Sequence, residues 1–210
     1  MRQVEGKPVV DPMVVPFKTG MRDRCWDKNV LALGLAGGFI EPLESTAIHL
    51  IYRGMDFFFR FLPERDCAPN LAAEYNRRMR ADYEEIRDFI ILHYCTTRRA
   101  DTPFWDACRT MTVPDSLQRK IDLFRVNGTV SEGLDELFRE PNWQSVLDGM
   151  GVVPRTYHPM VDRIPFGRAN EGLDEAHANL QRMVGGLPDH QAFIAQHCAA
   201  ERPAAPVAAA

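Results

Sequence analysis

The run from Gly34 to Ile48, Gly-Leu-Ala-Gly-Gly-Phe-Ile-Glu-Pro-Leu-Glu-Ser-Thr-Ala-Ile, carries the residue types best suited to chemistry in this chain. It reads as a strand end, a glycine-rich bend, and then the acidic, hydroxyl-bearing start of an apolar helix. Such a bend aims free backbone N–H groups and a helix N-terminus at whatever lies beside it, which is the physical basis of an anion or phosphate site. Glu44 stands where a carboxylate could serve as acid or base toward a bound small molecule. The plainer alternative is that Glu44 only complements the helix macrodipole, an effect worth about 0.3–1 kcal/mol.

These groups must be positioned by the elements around them. Asn29 to Leu35 is a short apolar run expected to be a buried strand feeding the bend, and residues 45–62 read as a helix that is apolar nearly all round and stops at Pro63. A long helix over about 69–97 carries Leu71, Tyr75, Met79, Tyr83, Ile86, Ile90 and Tyr94 in steps of three and four, one continuous stripe. Shorter helices are expected at 103–110, 115–126, 141–149, 170–185 and 188–198, with Asp115 or Ser116 capping the second of them and Gly128 closing it. Residues 8–17 are β-prone but cut by prolines, as in edge strands or extended connections. Residues 154–169 read as an irregular loop, and the alanine- and proline-rich tail after Cys198 as disordered. The fold class is therefore mainly α, with short strands near the N-terminus.

Composition narrows the function classes. In 210 residues the apolar share is 45% and the charged share 26%, as in soluble globular proteins, and the net charge of −4 offers no basic run to neutralise phosphates, so no nucleic-acid partner is expected. Arg77, Arg78 and Arg80 are followed by Asp82, Glu84 and Glu85, a pattern read as a solvated helix face. Five scattered cysteines without a Cys-x-x-Cys, and no secretory signal after Met1, indicate a reducing cytoplasm and free, mostly buried thiols. The longest apolar stretch, Ala47 to Leu62, is broken by His49, Arg53, Asp56 and Arg60, so no membrane span is expected. His93, His190 and His197 lack metal-ligand spacing. His49 is expected to support the core, and Phe57, Phe58, Phe59 and Phe61 to pack within it.

The literal residue order is more specific than its geometry. Gly38-Phe39-Ile40-Glu41-Pro42-Leu43-Glu44-Ser45-Thr46 resembles the signature of the flavin-dependent tryptophan halogenases. The likeness extends through Cys25–Leu35, Arg87-Asp88-Phe89-Ile90-Ile91-Leu92-His93-Tyr94, Thr102–Trp105, Pro114–Leu117, Gly149–Pro154 and His190–Ile194, about residues 14 to 198 in all.

This resemblance implies flavin chemistry, in which reduced FAD and oxygen convert a halide ion into a hypohalous oxidant that is guided to an aromatic carbon. It makes Glu44 the catalytic glutamate, in contact with substrate, and Glu41 its structural partner. Backbone N–H groups of Thr46 and Ala47 would bind halide, and Gly34, Leu35 and Ile48 would touch the flavin. Trp143 falls in the helical substrate module and is a candidate to hold the aromatic substrate, with plain packing as the alternative. Characterised tryptophan enzymes commonly carry glycine where Ala47 stands, and Ala47 followed by Ile48-His49-Leu50-Ile51 looks more like the subgroup acting on indoles and other simple aromatics. The substrate class is thus tryptophan, indole or a related aromatic, with a separate flavin reductase as partner and a homodimer as a possible assembly.

Three family landmarks are absent from these residues: a Gly-x-Gly-x-x-Gly fingerprint, a Trp-x-Trp-x-Ile-Pro motif around Trp26, Trp105 or Trp143, and a lysine in matching context among Lys7, Lys18, Lys28 and Lys120. The resemblance therefore implies a C-terminal portion. In that scheme residues 1–50 are the end of an FAD-binding α/β domain with the catalytic motif, 51–198 a helical substrate-binding module, and 199–210 a tail. Two other classes are open: a non-catalytic helical remnant or interaction domain that binds no flavin, and a flavin monooxygenase of another reaction type. The Glu44-Ser45-Thr46 sequence argues against the second.

Overall fold

The computed structural model describes residues 10–66, 68–131, 133 and 135–198. The described chain is mainly helical, with four two-residue strands: β1 (Gly20–Met21), β2 (Trp26–Asp27), β3 (Val30–Leu31) and β4 (Gly38–Phe39). The helices are α1 (Thr46–Arg60), α2 (Pro69–Cys95), α3 (Pro103–Thr110), α4 (Asp115–Asn127), α5 (Glu140–Gly149), α6 (Phe166–Gly185) and α7 (His190–His197). Two compact units divide between Tyr157 and His158. Residue 50, a boundary expected from the family's modules, lies inside α1.

The long helix is the spine of the first unit. Pro69 supplies a preset φ at its first turn, and Tyr75, Met79, Tyr83, Ile86 and Ile90 lie buried on the stripe read from sequence. Phe89 and Leu92 widen that stripe, so α2 is enclosed on more than one side and packs against β2, α1, α3, α4 and α5. Fully enclosed rings dominate the core: Phe57, Tyr75, Phe124 and Trp143.

Antiparallel pairing joins β1 to β4, with Gly20 opposite Phe39, and β2 to β3, with Trp26 opposite Leu31. Lys28, at φ 54°, turns the second hairpin. Asn76 of α2 docks that hairpin, accepting from the Trp26 N–H at 2.9 Å and donating to its carbonyl at 2.7 Å. The apolar run before the bend is therefore no buried strand: only Val30 and Leu31 pair, and Val30 stays exposed. The backbone breaks there because Gly34, at φ 58°, opens a single 3-10 turn over Gly34–Ala36.

Several local expectations need correction. Of the two readings for residues 8–17, edge strand or extended connection, the second holds for the described part, since residues 10–19 are exposed chain without strand pairing. Neither Asp115 nor Ser116 caps α4; Pro114 occupies the cap position and the Ser116 hydroxyl donates to the buried Asp88 instead. Gly128, at φ 80°, does close α4. Phe59 is exposed while Phe57 is buried, so the four phenylalanines do not share one environment. Cys25 is buried, Cys95 and Cys108 are half-buried and Cys198 is exposed.

In the second unit, Pro159–Arg163 forms a 3-10 turn and α6 starts at Phe166, four residues before the expected position, so the stretch read as loop is half structured. Asp189 caps α7 by accepting from the Ala192 N–H at 3.0 Å. The tail 199–210 and Cys67 fall outside the described residues.

Candidate functional site

The glycine-rich bend is built by close backbone approach. A Cβ on Gly38 would lie 2.7 Å from the Gly20 carbonyl oxygen, so β4 can pair with β1 only as glycine. Arg22 locks the bend from the other side, its amide donating to the Gly37 carbonyl at 2.9 Å and its Nε to the Ala36 carbonyl at 2.5 Å.

Beyond Pro42 the chain makes a second 3-10 turn, Leu43–Ser45, and here two non-glycine residues are left-handed in succession: Glu44 at φ 61°, ψ 3° and Ser45 at φ 55°, ψ 27°. Such conformations cost roughly 1–3 kcal/mol each and survive only where surrounding contacts enforce them. Their effect is to swing the chain into α1 with no side-chain cap on its first turn. Ala47 is regular helix, so its methyl group carries no backbone penalty.

A cavity of about 120 Å³ lies in this angle. Gly34, Leu35, Thr46, Ala47 and Ile48 all line it, together with Ile51 and Tyr83. Thr46 is buried, whereas Leu35 and Ile48 remain 76% and 63% exposed, an open apolar platform at the mouth. Its size suits a small anion or the edge of a flat ring, well below the roughly 300–1,000 Å³ that encloses a drug-sized ligand.

Both carboxylates of the turn are tied to consecutive residues of α2. The Tyr94 hydroxyl donates to Glu41 at 3.0 and 3.1 Å from its two oxygens. His93 Nε2 lies 3.4 Å from Glu44 Oε1, while His93 Nδ1 lies 2.9 Å from the Phe89 carbonyl oxygen. Burial first, then the hydrogen bond to Glu41, pushes the Tyr94 phenol above its usual range. Among the described residues Glu44 has no other bonded partner, and its side chain is 39% exposed.

Trp143 has a different setting. It is fully buried, its indole N–H donates to the Phe138 carbonyl at 3.0 Å, and its ring packs edge-on against Phe89 at 5.0 Å. Lys120 covers it at 4.4 Å from the ring centroid. With no exposed surface it packs as a core ring, the alternative weighed from sequence, and presents no face to a substrate.

Sequence reasoning missed His93, Tyr94 and Tyr83 as site residues. Tyr83 and Tyr94 were visible as members of the α2 stripe, but helical periodicity says nothing about which distant turn a residue meets. His49 is half-buried beside the Arg53–Asp82 ion pair, and burial holds its imidazole below the usual range. No cluster of three or more metal-ligating side chains occurs among the described residues. No described helix is long and apolar enough to cross a membrane.

The site thus consists of a strained acidic turn opening an uncapped helix, with a glycine bend and an apolar platform beside it. The tryptophan halogenase family model matches residues 1–166, and the chain belongs to that family. Tryptophan 7-halogenase RebH of Lentzea aerocolonigenes is 30% identical over 89% of this chain and 39% of its own length. Among solved structures, BrvH, a flavin-dependent halogenase from Brevundimonas sp. BAL3, matches 93% of this chain at 38% identity with a TM-score of 0.88. Xcc4156, a flavin-dependent halogenase from Xanthomonas campestris, matches 96% at 40% identity with a TM-score of 0.90. The chain spans about two fifths of the length of each.

Proposed function

We propose that these residues form the C-terminal, substrate-side part of a flavin-dependent halogenase acting on tryptophan, indole or a related aromatic. The single observation that carries this reading is the meeting of Gly34, Leu35, Thr46, Ala47 and Ile48 on one cavity, with Glu44 in the left-handed turn two residues before Thr46.

The residues fit one edge of FAD and not the dinucleotide as a whole. Leu35 and Ile48 would lie against the flavin ring, and Gly34 lets the backbone approach it. Bound reduced flavin supplies, with oxygen, the oxidising power that turns halide into a halogenating agent. The chain's own part is to hold a halide ion with the backbone N–H groups of Thr46 and Ala47, where the positive helix end favours an anion. Glu44 then orients the halogenating species and takes the proton released from the aromatic carbon once the carbon–halogen bond has formed. Trp143 is left out of this scheme because its ring is enclosed. A separate flavin reductase, a cytoplasmic setting and a homodimer complete the proposal.

The competing reading, a helical interaction domain that binds no flavin, draws on the same exposed apolar surface. Coding sequence upstream of the Met1 codon, followed by product analysis, separates the two. An in-frame segment with a glycine fingerprint, and halogenated indole formed in the presence of FAD, reductase, NADH and bromide, supports the halogenase. An in-frame stop and ribosome-binding site immediately upstream, with no halogenated product, supports the interaction domain.

A further inference from the structure

We propose that His93 is a positioning residue for Glu44: it fixes one carboxylate oxygen so that the other faces the reacting centre. The proposal rests on the reading of Glu44 as the reacting carboxylate.

The geometry dictates where the protons sit. His93 Nδ1 lies 2.9 Å from the Phe89 carbonyl oxygen, which can only accept, so Nδ1 carries hydrogen. Nε2 then faces Glu44 Oε1 at 3.4 Å. A donor at this position can hold the nearer oxygen, whereas a bare ring nitrogen would set two lone pairs against each other. One oxygen of Glu44 is thereby engaged and the other has no partner among the described residues.

The anchor is rigid. His93 packs edge-on against Phe89 at 5.0 Å, and Phe89 stacks on Phe138 at 3.8 Å and meets Trp143 at 5.0 Å. Glu44 sits on an exposed, strained turn, yet its carboxylate is referred through one imidazole to an enclosed ring cluster of the unit. Left-handed Glu44 and Ser45 give the turn a reason to relax if that tie is cut. Neither His93 nor Glu44 lines the cavity, so an effect of His93 on a bound aromatic must pass through Glu44 or the turn that carries it.

Two substitutions separate the contact from the packing. His93→Phe keeps a ring against Phe89 and removes both nitrogens, whereas His93→Gln keeps an N–H donor near Glu44. In the 210-residue chain, amide exchange of Leu43 to Ala47 is expected to accelerate about tenfold or more in His93→Phe and to return most of the way in His93→Gln. In a Glu44→Ala background, which removes the acceptor, the same His93→Phe change should add little, because a residue acting through the Glu44 side chain has nothing left to act on. In the complete halogenase, with FAD and reductase supplied, His93→Phe should lower kcat about tenfold or more while KM for the aromatic stays within about twofold. Additive exchange effects in the double variant, or a normal kcat in His93→Phe beside an inactive Glu44→Gln, overturns the role of His93 and leaves the Glu44 reading intact. A normal kcat in Glu44→Gln removes the Glu44 reading itself, with the exchange data still reporting whether the contact exists.

Discussion

The Tyr94 hydroxyl donates to the carboxylate of Glu41 across fifty-three residues of sequence, 3.0 and 3.1 Å from its two oxygens. It is the tie that sets the acidic turn against α2, one residue along from the His93–Glu44 contact. A hydrogen bond to a charged acceptor is worth about 1.5–3 kcal/mol when shielded, and less here because both partners are only half-buried. Tyr94→Phe is therefore expected to cost about 1 kcal/mol in urea denaturation with an unchanged m value, and to shift the amide resonances of residues 41–47. A variant as stable as wild type, with unmoved resonances, would remove the tie from the account of this turn.

Glu44→Gln keeps the size of the side chain and a hydrogen-bond acceptor near His93 while removing the proposed base. General acid–base groups contribute about 10²–10⁴-fold to rate, so product formation in the complete halogenase should fall by that order. The 210-residue chain carrying the same change should melt within a few degrees of wild type, because the side chain is 39% exposed and buries little. Near-normal turnover would exclude Glu44 from the chemistry.

What the sequence made legible, and what it hid, follows from the range of each interaction. The α2 stripe from Tyr75 to Ile90 was readable because helical periodicity is local and 27 residues repeat it many times. Gly128 was readable as a helix stop because a left-handed residue after α4 is a one-residue requirement. The Gly34–Ile48 segment stood out as a candidate site by its residue order, but its shape did not: nothing local announces that Glu44 and Ser45 turn left-handed, and the side chains that meet this turn, His93 and Tyr94, lie far along the chain on α2. Glu85 was read with Asp82 and Glu84 as a solvated face, yet it turns inward to accept the Leu137 and Phe138 amides at 3.3 and 3.2 Å. Charge patterning along one helix cannot reveal a distant loop in need of acceptors.

The same Glu85 makes stability depend on pH. Burial, only partly offset by the Phe138 and Leu137 amides, pushes its carboxyl up from 4.5 to about 7. The folded state therefore holds a proton that the unfolded chain has already lost between those two values, so stability falls as pH rises from 4.5 to about 7 and levels off above. The full rise corresponds to something on the order of 3 kcal/mol. Glu85→Gln, which cannot ionise, should match wild type near pH 4.5 and exceed it by about 1–3 kcal/mol at pH 8. Urea titrations followed by the fluorescence of Trp26, Trp105 and Trp143 would show it; a difference that is flat with pH would contradict the buried-carboxylate assignment.

Gly54 of α1 faces Leu33 and, across the contact with α2, Tyr75 and Met79, and sets helix propensity against packing. An added Cβ would lie 2.8 Å from Leu33 Cδ2 and 3.0 Å from the Tyr75 hydroxyl, a hydroxyl that is itself buried without a partner. Alanine in a helix interior gains about 1 kcal/mol over glycine, while overpacking costs about 1–3 kcal/mol. Gly54→Ala should therefore destabilise the first unit by about 1–2 kcal/mol. Gly172 in α6 has nothing within 4 Å of its added Cβ, so Gly172→Ala should slow amide exchange in α6 instead. Opposite signs for the two glycines are the expected result, and equal stabilisation by both would mean that α1 and α2 are not in close contact at Gly54.

The outer face of α1 gives the last prediction. Ile48, Ile51, Tyr52, Met55 and Phe59 follow one another at helical spacing and all remain exposed, with Leu35 beside the first of them. The buried positions, Leu50, Gly54 and Phe57, occupy the opposite face, so α1 is apolar on both sides and satisfied on one. Contiguous apolar surface of this kind is uncommon on isolated soluble chains and marks a place where other protein or a ligand packs. The 210-residue chain alone is therefore expected to self-associate at micromolar concentration and to enhance the fluorescence of an apolar dye. Ile48→Glu combined with Phe59→Glu should reverse both effects while leaving the helix content unchanged, because neither residue contributes to the core. The same reasoning predicts that the isolated chain does not retain FAD through gel filtration: a cavity of about 120 Å³ and an open apolar platform hold one edge of a ring and offer nothing to the pyrophosphate. A monomeric, dye-silent chain that elutes yellow with bound flavin would mean that this face is closed in solution and that the flavin site is complete within these residues.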